Sequence, residues 1–236
     1  YTPTHTLSLH DALPILQQNL DTWSVSHPHF FEEVYKTAPT IFELQHYSSV
    51  KQDGNWLGKN GEKTIPGLNV GGAEIFRKSM ELIHPTYIGF HGYLGEWHSD
   101  NPELTNELLN LCGYWYFPKS IHITAWNKDN LSFEIEWLNK GVAPAYNVYA
   151  LKGKLIPGDK SAKTIEFEIE DSGNKNWMPG EVHIKKYKAL LTDKPQGNYQ
   201  LAVQLFDKKS GKPLDVALKK ELKDKNGYFS LANLNL

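Results

Sequence analysis

The feature that most constrains this 236-residue chain is a change of hydrophobic period near residue 118. Before it, apolar residues recur at helical spacing in segments separated by short β-prone runs; after it, they alternate with polar residues at every second position. One layer cannot satisfy both patterns. Helices alternating with strands predict parallel βαβ units, whereas short, evenly spaced strands with turn clusters between them predict an antiparallel β-sandwich.

In the first half, Ser26 suits an N-cap and Pro28 a first turn. Phe30, Phe31, Val34 and Tyr35 supply an apolar stripe that Ala38-Pro39 ends. Thr40 to Leu44 is a short buried-strand pattern. Residues 45–69 form a long polar stretch with Gly54, Gly58, Gly61, Pro66 and Gly67, read as a loop far longer than the usual connection of about 4–6 residues. Ile75, Phe76, Met80 and Ile83 predict a helix over 73–83, and His84-Pro85 closes it. Thr86 to Gly92 reads as a strand, with the residues after it as a loop. Pro102 to Cys112 reads as a helix with Leu104, Leu108 and Leu111 on one face and Gly113 as its stop. Two parallel strands do not make a stable sheet, because parallel sheets are covered on both faces and need neighbours. Residues 16–120 are therefore expected to be an incomplete α/β unit.

In the second half, Leu131 to Trp137, Thr164 to Ile169, Val182 to Tyr187 and Tyr199 to Phe206 alternate strictly. Clusters such as Asn139-Lys140-Gly141, Ile156-Pro157-Gly158-Asp159 and Lys194-Pro195-Gln196-Gly197 separate the runs as turns. Residues 121–236 are expected to be a self-sufficient β-sandwich.

Charge and cysteine content narrow the function classes. The 25 basic and 27 acidic residues leave a formal charge of -2, which offers no field to draw nucleic acid. No apolar run approaches the ~20 residues of a membrane-spanning helix. Cys112 is the single cysteine, so neither an internal disulfide nor a paired-cysteine zinc site is available. The first residues stand apart: Thr6 to Ile15 resembles the translation of a sequencing-adapter oligonucleotide. Residues 1–15 are accordingly set aside as non-native, with the expectation that upstream protein, including any export signal, is missing.

Two stretches carry a family resemblance. Tyr87-Ile88-Gly89-Phe90-His91-Gly92-Tyr93-Leu94-Gly95-Glu96-Trp97, followed by Cys112-Gly113-Tyr114-Trp115-Tyr116, resembles the last strand and helix of the barrel in uncharacterised bacterial glycosidase-like proteins. Glu136-Trp137-Leu138-Asn139-Lys140-Gly141-Val142-Ala143-Pro144-Ala145-Tyr146 resembles the opening hairpin of the sandwich that follows it in those proteins. The resemblance implies α/β plus all-β: the truncated C-terminal end of a (β/α)8 barrel followed by an antiparallel immunoglobulin-like β-sandwich. It also implies a fragment of a glycoside hydrolase with a carbohydrate substrate and no cofactor, from a secreted, periplasmic or cell-surface protein. A non-catalytic carbohydrate-binding or structural accessory protein is the competing reading.

In a barrel, active-site groups lie at the carboxyl ends of strands, and glycoside hydrolysis uses two carboxylates flanking the scissile bond. Glu43, near the end of one strand, is the first candidate for a catalytic carboxylate; its other reading is a structural carboxylate at the rim. Glu96 and Trp97 read either as a sugar-contacting acid beside a stacking platform or as a loop anchor. Gln45, His46, Tyr47 and His91 are candidates to line a polar pocket, and Trp56, in the long loop, is a candidate to close over it. His27 and His29 have ligand-like spacing without acidic or cysteine partners, so no metal is expected. Gly71-Gly72 lacks the pattern of a phosphate loop, and no serine nucleophile elbow is present.

Overall fold

The computed structural model describes residues 5–8, 30–44, 46–90, 94–127, 129–159, 161–169, 171–191 and 195–236. The chain divides into two units, Tyr1–Tyr114 with Gly141–Tyr146, and Trp115–Lys140 with Asn147–Leu236. Ser26, His27, Pro28 and His29 lie outside the described residues.

The first unit carries β1 (His5–Ser8), α1 (Phe30–Val34), β2 (Thr40–Leu44), α2 (Tyr47–Gln52), α3 (Gly72–Ile83), β3 (Tyr87–Phe90), α4 (Leu94–Asp100) and α5 (Pro102–Leu111). Its sheet has the order β1-β2-β3, with both pairs parallel. The strand β1 comes from the segment set aside above: His5–Ser8 pairs with Thr40–Glu43. Strand β2 is thereby the central strand, paired with β1 on one side and β3 on the other.

Helix α3 forms as its periodicity predicts, with Ile75, Phe76, Met80 and Ile83 buried against Phe42 of β2, whose ring meets Phe76 edge-on at 4.4 Å. His84 ends it in the left-handed conformation, its N–H donating to the Met80 carbonyl at 2.9 Å. The imidazole is then held by stacking on Tyr35 at 3.7 Å and by Nδ1–H donation to the Val142 carbonyl at 2.6 Å. Burial pushes its pKa below the ordinary histidine value.

Two helices depart from expectation. The polar stretch 45–69 contains α2, and the loop expected after β3 contains α4. Both are short, and each contributes only one or two buried residues (Tyr47 and Val50; Trp97), too few for a periodic signal to emerge from sequence.

The second unit contains β4 (Tyr116–Asn127), β5 (Asn130–Asn139), β6 (Ala150–Pro157), β7 (Ile165–Ile169), β8 (Val182–Leu190), β9 (Asn198–Asp207), β10 (Lys212–Pro213) and β11 (Phe229–Asn235). They form two sheets, β4-β5-β8 and β10-β9-β6-β7 with β11 also paired to β9. Every pairing in these sheets is antiparallel. Strand β5 buries alternate residues, Leu131, Phe133, Ile135 and Trp137. The rings of Phe133 and Phe167, and of Trp137 and Phe229, meet across the sheets at 6.2 Å. The architecture is thus mixed α/β with mostly antiparallel sheets, compatible with a β-sandwich.

Strand β4 runs through Pro118. The register shifts between Pro118 and Ser120, and β4 is an edge strand, so the missing donor leaves no ladder bond broken. The segment Glu136–Tyr146 is no hairpin: its first four residues end β5, and the next strand, β6, belongs to the other sheet. The donors of Val142 and Ala143 go to the Leu111 and Gly113 carbonyls, at 2.9 and 2.8 Å, rather than to a partner strand. Asn139, expected in a turn, is buried at the end of β5. Its Oδ1 accepts from Trp115 N–H at 3.1 Å and its amide donates to the Trp177 carbonyl at 3.0 Å.

Candidate functional site

Glu43, next to last in β2, is in register with Ser8 on one side and Gly89 on the other. Its side chain lies outside the described residues, as do Gln45 and His91 altogether. His46 is exposed at the N-cap of α2, where its carbonyl accepts from Ser49 and Val50 at 3.0 and 3.1 Å.

The aromatic candidates are interior. Tyr47, Trp56 and Trp97 are 2%, 3% and 1% exposed, where a stacking platform needs an open ring face. Tyr47 and Trp97 meet edge-on at 5.2 Å, and Trp56 and Trp97 lie 5.0 Å apart. Their polar tips are satisfied within the unit. Trp56 Nε1–H donates to Asn101 Oδ1 at 2.9 Å, Trp97 Nε1–H to Thr105 Oγ1 at 2.8 Å, and Tyr47 O–H to Asp100 Oδ2 at 3.0 Å. Burial pushes the Tyr47 phenol up to about 12.

The glycines near Trp56 have a matching cause. A Cβ at Gly61, which has φ of 63°, would stand 2.5 Å from the indole, and one at Gly72 2.6 Å from it. Gly61 and Gly72 therefore make room for an aromatic ring, whereas a Cβ at Gly71 would stand 2.7 Å from the Gly61 carbonyl oxygen.

Glu96 joins a cluster that the sequence did not announce. Lys51 of α2 donates to Glu96 Oε1 at 2.9 Å and to Asp100 Oδ2 at 2.8 Å, so one ammonium bridges two carboxylates a helical turn apart on α4. The Asp100 and Glu96 hydrogen bonds hold the Lys51 pKa above its ordinary value, and Lys51, then Tyr47, hold Asp100 below its own. Groups shifted in these directions stay charged and serve as a fixed clamp between α2 and α4, not as proton donors or acceptors near neutrality. Lys51, Asp100 and Asn101 were missed because the spacings that mark them, Tyr47/Lys51 and Glu96/Asp100, carry meaning only once 47–52 and 94–100 are helices.

Among the described residues no group of three or more His, Cys, Asp or Glu converges as metal ligands would, and no helix is long and apolar enough to cross a membrane. His98 is exposed on α4. Burial raises the Cys112 thiol to about 11, which leaves it protonated at neutral pH.

No protein-family model matches the sequence, and no curated protein matches it either. Among solved structures the chain is similar to chicken MD-1 complexed with lipid IVa, at 12% identity and a TM-score of 0.28, over 50% of this chain and 83% of that one. It is also similar to β-glucosidase 3B from Thermotoga neapolitana in complex with glycerol, at 11% identity and a TM-score of 0.24, over 92% of this chain and 35% of that one.

Proposed function

We propose that the chain is the C-terminal part of a glycoside hydrolase, in which β2 and β3 with their helices, within residues 16–120, are the closing units of a (β/α)8 barrel and the second unit is an immunoglobulin-like sandwich. Glu43 acts as one catalytic carboxylate, and His46, with Gln45 and His91, lines the substrate pocket. The observation that supports this is the parallel register: Glu43 stands at the carboxyl end of β2 beside Gly89 of β3, the end at which barrel enzymes carry their chemistry. The second carboxylate belongs to the missing strands, so the chain alone is inactive. The reading also puts the protein outside the cytoplasm, where polymeric glycans are met.

A specific observation favours the competing reading, a non-catalytic carbohydrate-binding or structural protein. Tyr47, Trp56 and Trp97 are spent on the core, and Glu96 is held by Lys51. One experiment separates the two. The intact gene is recovered, and its product is assayed with and without Glu43→Gln. An export signal, upstream strand-helix units and a loss of turnover by about a thousandfold or more support the hydrolase. An unrelated upstream domain, or turnover that survives the substitution, removes Glu43 from the mechanism.

A further inference from the structure

The outer face of the five-stranded sheet in the second unit is covered at one end and open at the other. At the covered end Gln204 of β9 is buried and donates its amide to the Asn226 carbonyl, in the segment between β10 and β11. At the open end the same face of β9 presents Asn198 and Gln200, both exposed. Register places Gln200 between Ile156 of β6 and Asn233 of β11, and Asn198 opposite Asn235 of β11. Four side-chain amides thus stand on two neighbouring strands, and none makes a hydrogen bond with another described residue. Strand geometry sets the patch at roughly 7 Å along β9 and 5 Å across, the footprint of a sugar ring.

These amides line a cleft of about 560 Å³ together with Ile156, Pro157, Gly158, Tyr199 and Leu234, and none of the nine described residues lining it carries a charged side chain. The next cation on this face of β6, Lys154, is held by Asp224 at 2.6 Å. Gly158 keeps the rim low: its N–H donates to the Asn198 carbonyl at 2.8 Å, and a Cβ there would lie 3.7 Å from Asn198 Cβ.

We infer that this cleft is a binding site for a neutral, polyhydroxylated chain, an uncharged oligosaccharide. Each amide both donates and accepts, which matches hydroxyl groups that do the same. A tightly held anion calls for a cation to pair with it, and a cation for carboxylates; the nine lining residues supply neither. The apolar edge of Ile156, in register with Gln200, suits the C–H face of a sugar. The site is separate from Glu43 and does not depend on turnover.

The test is isothermal titration of the full chain with neutral hexasaccharides of glucose, xylose and mannose, and with a galacturonate hexasaccharide as the charged control. At least one neutral hexasaccharide binds, the anionic one does not, and Asn198→Ala/Asn233→Ala weakens binding by about tenfold or more without lowering the melting temperature. Gly158→Leu, which blocks the rim and leaves all four amides in place, weakens it as well. Lys188→Ala, exposed on β8 of the other sheet, changes nothing. The inference is overturned if no neutral hexasaccharide binds at millimolar concentration, if the galacturonate chain binds better, or if binding survives both variants. Dimerisation that the same substitutions abolish, with no sugar bound, also overturns it and assigns the face to a second copy.

Discussion

The two units bury tryptophans by different means. In the second, Trp137 and Trp177 stack at 5.0 Å, and Trp137 takes its place from strict alternation along β5, with Nε1–H donating to Tyr187 Oη at 3.0 Å. In the first, Trp56 and Trp97 come from polar surroundings in the sequence. Asn101 and Thr105, on or beside α5, are themselves buried and receive their N–H groups. An aromatic beside polar residues is therefore no sign of a surface platform; the groups that let these indoles enter the core, Asn101 for Trp56 and Thr105 for Trp97, stand 45 and 8 residues away in the chain.

The sharpest way to break this comparison is to truncate both kinds. Trp97→Ala and Trp177→Ala are each expected to cost about 3–5 kcal/mol, read from denaturant midpoints followed by far-UV circular dichroism. If Trp97→Ala costs less than about 1 kcal/mol while Trp177→Ala is severe, the first unit's aromatics are not core and the platform reading returns.

A smaller effect probes the regularity of the second unit. Gly153 of β6 lies against Phe167 of β7, and a Cβ at residue 153 would overlap the ring. Gly153→Ala is expected to cost about 1–3 kcal/mol by overpacking, and Phe167→Leu in the same chain to recover part of it. A neutral Gly153→Ala, or a double variant no better than the single, shows that this sheet yields where the packing says it does not.

The smallest effect is electrostatic and confined to the first unit. Lys59 and Asn60 donate to Glu103 at 2.8 Å each and hold its carboxyl at about 2, below the ordinary 4.5. A folded-state pKa below the unfolded one adds stability that is complete above pH 4.5 and fades as pH falls toward 2. Amide exchange in α5 should accelerate across that window, and Glu103→Gln should flatten the dependence. An unchanged profile in the variant would assign the acid response to other carboxylates.

Legibility followed the same divide. The alternation of Leu131 to Trp137 announced β5, and Ile75, Phe76, Met80 and Ile83 announced α3, because each repeats its period several times. Helices α2 and α4 repeat theirs barely once, so Lys51 and Asp100 passed unnoticed and Trp56 and Trp97 were read as binding residues. At Glu43 the sequence supplied a carboxylate at a strand end, and the structure adds its register beside Gly89.

By itself, the sequence determined that the chain changes architecture near residue 118, that helices and strands alternate before that point, and that antiparallel strands follow it. Tertiary structure alone decided which tryptophans are interior, which carboxylates a lysine clamps, and which amides of β9 a covering segment satisfies. The physical reason is that period is a property of consecutive residues, whereas burial and hydrogen-bond satisfaction depend on partners such as Trp56 and Asn101, or Gln204 and Asn226, that only folding brings together.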